Sequence, residues 1–176
     1  MQLQGKKIAL RSVLPSDTDL LFKWENDKSN WTVSGTKKPF TKKEIKDFIS
    51  KQKDIYLDKQ LRWMITARNK GQETGKILNP KSQILNSVGC IDLFDFDIQN
   101  LTAGIGILID KKHRKKGYAS DALSLLIVYS FEILNLRNLI CNISADNKAS
   151  MKLFQKHHFK ITEKKEDEYV LQLVNQ

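Results

Sequence analysis

The run Gly104-Ile105-Gly106-Ile107-Leu108-Ile109-Asp110 passes through a basic turn, residues 111–117, directly into the most apolar helical pattern of the chain. Over residues 118–134, Ala119, Ala122, Leu123, Leu126, Tyr129 and Ile133 recur on one side, and Leu125, Val128 and Phe131 extend the apolar surface around the other. A helix so largely apolar has to be buried, and a strand feeding it across a short turn means a sheet with helices packed on it. Backbone N–H groups at a helix N-terminus are unpaired and carry partial positive charge, and Gly117 with the small Ala119 lets a phosphate come close. A pyrophosphate fits that end. Lys111, Lys112, Arg114, Lys115 and Lys116 add charge suited to a ligand with several phosphates, although a solvated charge run or a nuclear-import-like basic patch is the plainer alternative.

The remaining pattern is mixed α/β. Alternation over residues 7–13, broken by Pro15, predicts a strand with Ile8 and Leu10 on one face and Lys7, Ala9 and Arg11 on the other. Ser16 and Asp17 before Leu20, Leu21 and Trp24 predict a helix ending near Asn26, and Thr41-Lys42-Lys43-Glu44 reads as a capping box opening a second helix through Ile45, Phe48, Ile49 and Gln52. The period then changes to two over residues 61–68, 84–97 and 102–110, which predicts three successive antiparallel strands. Residues 69–83, with Gly71, Gly75 and Pro80, read as a long surface loop between the first two. After the central helix come a short strand at 139–143, a helix at 148–156 capped by Asp146 or Asn147, and strands at 159–162 and 169–174. No repeat, low-complexity tract or linker divides residues 1–176, so one domain is expected.

Composition narrows the function. The net charge of +10 points to an anionic partner, whether nucleic acid, a membrane surface or a phosphorylated small molecule. Only Arg11, Arg62, Arg68, Arg114 and Arg137 of the 30 basic residues are Arg, which disfavours sequence-specific reading of DNA. The most apolar stretch is interrupted by Ser124, Ser130 and Glu132 and is too short to cross a bilayer, and the first residues carry no signal-peptide pattern, so a cytoplasmic address is expected. Cys90 and Cys141 lie far apart without metal-ligand spacing and read as core residues in a reducing compartment.

Arg114-Lys115-Lys116-Gly117-Tyr118-Ala119 resembles the R-x-x-G-x-G/A signature of the GNAT-superfamily N-acetyltransferases, and it stands at the strand-to-helix junction where that family has it. Downstream, Asn147-Lys148-Ala149-Ser150-Met151-Lys152-Leu153-Phe154 with Phe159 resembles the family's N-x-x-S-x-x-L-Y-x-x-x-G-F segment. Leu10-Arg11, Asp19, Trp24 and residues 89–97 look most like the branch of ribosomal-protein-alanine and diamine acetyltransferases. The resemblance covers nearly the whole chain. It implies a single-domain α/β (α+β) fold with a mixed, mostly antiparallel central sheet flanked by helices, an acceptor-side half at about 1–100 and an acetyl-CoA-binding core at about 101–160.

The resemblance further implies that the backbone at Ile107, Leu108 and Ile109 pairs with pantetheine and polarises the thioester carbonyl. The turn Arg114, Lys115, Lys116, Gly117, Tyr118, Ala119 and Ser120 would hold the pyrophosphate, with the Tyr118 ring in packing. Asn147 and Ser150 would line the thiol end of the donor; a helix cap and a surface hydroxyl are their plainer readings. No metal is implied. The acceptor would be a primary amine, either a diamine or polyamine or a protein N-terminus, attacking directly in a ternary complex.

Three departures bear on mechanism. Phe154 stands where many relatives carry a Tyr able to protonate the leaving thiolate, and Phe has no proton to give. Ala103-Gly104-Ile105-Gly106 replaces the A-E-I-G of relatives, so their Glu base is missing. His158 replaces a glycine, which puts the turn geometry there in doubt; His157 and His158 read as a helix cap rather than a base. A base or water relay is still wanted, because a lysine-like amine of pKa about 10.4 is more than three units from its nucleophilic form at pH 7, a deficit of roughly 4 to 5 kcal/mol. Asp92, mid-strand in Cys90-Ile91-Asp92-Leu93-Phe94 where a carboxylate is disfavoured, is the first candidate. Glu25 at the end of the first helix is the second, with Trp24 and Trp31 as candidate walls of the acceptor site, and Glu25, Asp27, Asp92 and Asp95 as carboxylates for a second ammonium. Two other readings are a basic nucleic-acid- or ribosome-binding module and a catalytically decayed member of the family. Relatives are often dimers, so a homodimer is an expectation.

Overall fold

The computed structural model describes residues 2–34, 36–68 and 86–175. β1 (Gln2–Gln4) and β2 (Ile8–Ser12) form an opening hairpin, followed by α1 (Thr18–Glu25), α2 (Lys28–Ser34), α3 (Lys42–Ser50) and α4 (Ile55–Asp58). Next come β3 (Leu61–Ala67), β4 (Ser87–Asp97), β5 (Thr102–Ile109) and α5 (Tyr118–Val128). β6 (Asn138–Ser144), α6 (Lys148–Lys156), β7 (Lys160–Lys164) and β8 (Glu168–Val174) complete the chain. One eight-stranded sheet runs in the order β1-β2-β3-β4-β5-β6-β8-β7, antiparallel except where β5 meets β6.

Three elements go beyond the sequence reading: β1, α2 and α4. The first two are too short for a period to be read, and α4 is a single turn capped by Asp54, whose carboxylate accepts from the Tyr56 amide. β2 also departs from simple alternation, because Ile8, Ala9, Leu10 and Arg11 are all buried. Both sheet faces are covered there. Arg11 meets Asp17 through two 2.7 Å bonds and donates to Ser87, which allows a cation in that layer. The predicted loop at 69–83 lies outside the described residues.

α5 lies on one face of the sheet, where Ala122, Leu123 and Leu126 join Ile8, Leu10, Trp63, Ile65, Ile91, Leu93 and Ile105 in the larger core. α1 and α3 cover the opposite face, where Leu21, Trp24, Ile45 and Ile49 pack on Met64 and Cys90. α3 opens as expected, with the Glu44 amide donating to Thr41 Oγ1 and the Thr41 amide to Glu44. The predicted helix 118–134 is α-helical only to Val128; Tyr129–Ile133 forms one wide π turn in which the Leu134 amide donates to Tyr129 O. Ser130 Oγ bonds back to Leu126 O inside this region, and Asn135 ends it at φ 52°. Cys90 and Cys141 are free and buried.

Candidate active site

β5 pairs with β4 along its length, from Gly104 opposite Phe94 to Ile109 opposite Gly89. On its other edge it pairs with β6 through only Thr102, Ala103 and Gly104. Beyond Gly104 the two parallel strands diverge. The Asp110 amide donates to Val88 O on β4, so the two-residue period turns the polar backbone of Leu108 and Gly106 to β4 and that of Ile107 and Ile109 into the gap. Of the three residues expected to offer backbone there, Ile107 and Ile109 do so; Leu108 does not, and its side chain packs toward the α1/α3 core.

The turn after β5 is held open by specific contacts. Asp110 accepts from the Lys112 amide and from Trp24 Nε1 at 3.0 Å, so Trp24, an expected wall of the acceptor site, is instead buried and anchors the end of β5. Burial pushes the Asp110 carboxyl up, but the bonds from Trp24 and Lys112 and the positive charge of His113 and Lys23 outweigh it and hold the group below the usual carboxylate range. Arg114 folds back, donating from Nε to Ile109 O and from Nη2 to Asn30. Lys115 (φ 61°) and Gly117 (φ 83°) take left-handed conformations that bring the chain into α5. Gly117 supplies no side-chain cap, and no hydrogen bond from the amides of Tyr118, Ala119 or Ser120 to a protein acceptor occurs among the described residues. Lys111, Lys112, Lys115 and Lys116 are exposed around this end.

At the first turn of α5, Ser120 Oγ lies 2.8 Å from His157 Nε2 at the end of α6. Desolvation, with Lys156 and His158 nearby, lowers the His157 pKa and favours the neutral ring, whose tautomer sets which of the two groups donates. His158 adopts φ 67°, the left-handed turn for which a glycine is the easier residue. Asn147 caps α6, its Oδ1 accepting from the Ser150 amide at 3.1 Å. Phe154 is buried edge-to-face on Phe159, with ring centroids 5.0 Å apart.

On the α1/α3 face, Arg62 of β3, Asp92 of β4 and Gly106 of β5 stand in one cross-strand row. Arg62 donates from Nε and Nη2 to the two oxygens of Asp92, at 2.6 and 2.7 Å, and from Nη1 to Glu25 Oε1. The guanidinium lies 4.8 Å from the Phe48 ring centroid, and Gln52 accepts from the Arg62 amide. The two carboxylates singled out in the sequence are therefore brought together, by an arginine that reasoning from sequence missed. Its signal was a charge in a strand pattern, the same one that marked Asp92. The side chains of Arg62, Glu25 and Asp92 are 12%, 11% and 14% exposed. Burial lowers the pKa of Arg62, yet the adjoining Asp92 and Glu25 carboxylates hold it well above the ordinary guanidinium value. Burial raises the Cys90 thiol far above its usual range, and it stays protonated. Asp27 is occupied with Ser29 and Lys111, and Asp95 is exposed at φ 49°, so neither joins this cluster. Trp31 Nε1 donates to Glu25 O.

A sheet parted beside an uncapped helix end has the room and the polarity for a phosphorylated ligand, and a buried ionic cluster lies one strand away. The acetyltransferase (GNAT) domain family matches residues 7–160, and the chain belongs to that family. An N-acetyltransferase 9-like protein from Caenorhabditis briggsae is 24% identical over 162 residues, 89% of this chain and 75% of that one. Spermidine N-acetyltransferase from Vibrio cholerae, solved in complex with CoA and spermine, superposes with a TM-score of 0.79 at 17% identity, covering 96% of this chain and 95% of that chain. A ribosomal L7/L12 alpha-N-protein acetyltransferase gives 0.76 at 15% identity, over 99% of this chain and 94% of that chain. At such identities the structural likeness speaks for the fold. Among the described residues no helix is long and apolar enough to cross a membrane.

Proposed function

We propose that the protein transfers acetyl from acetyl-CoA to a primary amine by direct attack in a ternary complex. The observation that carries this reading is the divergence of β5 from β6 beside the open N-terminus of α5. The gap takes pantetheine against the backbone of Ile107 and the amide of Ile109, whose carbonyl already accepts from Arg114 Nε, and the amides of Tyr118, Ala119 and Ser120, flanked by Arg114, Lys115, Lys116 and Gly117, take the pyrophosphate. An N–H fixed in the strand and aimed at the thioester oxygen stabilises the developing oxyanion without reorganisation, an effect of about 3 kcal/mol per donor.

The amine approaches from the α1/α3 face. Asp92 has both oxygens engaged by Arg62, whereas Glu25 Oε2 accepts no hydrogen bond from the described residues. That difference supports Glu25 as the carboxylate that takes the ammonium proton, directly or through water, with Asp92 fixing Arg62. The neutral amine adds to the thioester carbon, the C–S bond breaks as the tetrahedral intermediate collapses and CoA leaves as a thiolate, and the proton that the nitrogen sheds passes through water to that thiolate. A thiol with pKa of about 8.5 leaves tolerably without an acid, so Phe154 in place of a hydroxyl donor lowers the rate without preventing the reaction. Two carboxylates, Glu25 and Asp92, sharing one arginine beside the gap support a small cationic amine as acceptor.

Calorimetric titration with acetyl-CoA, followed by thiol release with a panel of diamines, polyamines and peptides with free N-termini, tests the proposal. One-to-one binding and release with at least one amine are expected. No binding, or binding with no release for any amine, would defeat it.

A further inference from the structure

The turn of the opening hairpin is fastened to the start of α5. Asp121 accepts from the amides of Lys6, Lys7 and Ile8, at 3.4, 2.6 and 3.1 Å, and Arg68 donates to Gly5 O on the other side of the same turn. A fifth bond runs from Lys7 Nζ to Lys116 O at 3.1 Å. The ammonium thus lies over the helix end, where it would be 2.8 Å from a Cβ placed on Gly117.

The position is electrostatically odd. A helix N-terminus is the positive end of the macrodipole and favours anions. Here it faces Lys7 in addition to Lys115 and Lys116, and none of these three cations forms an ion pair among the described residues. Asp121, the acid at hand, directs its carboxylate at three backbone amides. One Lys7 N–H is taken by the Lys116 carbonyl, which leaves two donors on an exposed ammonium beside Gly117, at the uncapped end of α5. Such an arrangement is repulsive when empty and becomes favourable when an anion enters.

We infer that Lys7, delivered by the β1–β2 turn, is a ligand for a phosphate of the donor, so that the phosphate site is built from both ends of the sequence of the N-terminal 120 residues and not from the turn after β5 alone. The inference rests on the donor site proposed above. Two phosphate groups of acetyl-CoA, the pyrophosphate and the ribose 3′-phosphate, offer the same chemistry, and the experiment separates them.

The test is calorimetric titration of the unsubstituted protein, Lys7→Met, Lys7→Arg and Lys53→Met with acetyl-CoA and with its 3′-dephospho form, with thermal melting alongside. Lys53→Met removes the same unit of net charge elsewhere. The expected result is a three- to tenfold weaker Kd, roughly, for Lys7→Met, less at high salt, with Lys7→Arg largely restored and Lys53→Met unchanged. A loss that disappears with the 3′-dephospho form assigns Lys7 to the 3′-phosphate; a loss kept with it assigns Lys7 to the pyrophosphate. Equal affinities for Lys7→Met and the unsubstituted protein, at equal melting temperature, would overturn the inference while leaving the donor site standing. An unsubstituted protein that binds neither form would overturn the donor site and this inference together.

Discussion

The ring of Phe94 on β4 covers Gly104 on β5 so closely that a Cβ at position 104 would overlap it. An aromatic residue on the next strand therefore occupies the space that a side chain at position 104 would need. Gly104→Glu should destabilise the protein by about 1 to 3 kcal/mol through overpacking, and the double variant Phe94→Ala/Gly104→Glu should recover part of that loss. Thermal melting of the three variants checks this.

Arg62 neutralises one of two largely buried carboxylates. Arg62→Met should cost about 3 to 5 kcal/mol, because it leaves Glu25 and Asp92 facing each other with no cation. Adding Asp92→Asn and Glu25→Gln to Arg62→Met should return much of the stability, which denaturant titration would show, without returning acetyl transfer.

Asn147 caps α6, and the Asp side chain can make the same bond. Asn147→Ala should lower stability by about 1 kcal/mol, whereas Asn147→Asp should keep it. If the Asn147 amide also touches the donor, Asn147→Asp will weaken acetyl-CoA binding at unchanged melting temperature. Equal Kd values would leave the residue with its capping role alone.

The burial of His157 makes stability depend on pH. Burial lowers the His157 pKa in the folded protein below its unfolded value of about 6.5, so the unfolded chain binds the proton more readily. This contribution is complete above the unfolded pKa and is lost as pH falls through the folded one. The melting temperature should therefore decline on acidification from pH 7, and His157→Gln should flatten that slope. An unchanged slope would remove His157 as its source.

Periodicity made much of this architecture legible. β5, α5 and their junction could be read because one face or the whole helix is apolar, and α3 and α6 announce themselves through Thr41 and Asn147. β1 and α4 were hidden by their length, and the buried Arg11 and Asp17 by the fact that their pairing is tertiary. The same limit applies to the site. Glu25 and Asp92 could be named singly, but only the β3–β4 register puts Arg62 opposite Asp92. Lys7 gave no sign because its role depends on Asp121, far along the chain.

The continuity of the sheet across β5 and β6 rests on three residue pairs, Thr102 with Asn138, Ala103 with Leu139 and Gly104 with Ile140. Everything beyond them on that side of the sheet, β6, β8 and β7, is joined to the first five strands at one end only. A donor lying in the gap would act as a rivet between the two halves, and its binding energy would add to the cohesion of the fold by mass action. Heat resistance would then report occupancy: a protein saturated with acetyl-CoA would hold its halves together at temperatures where the empty protein parts along the β5–β6 seam.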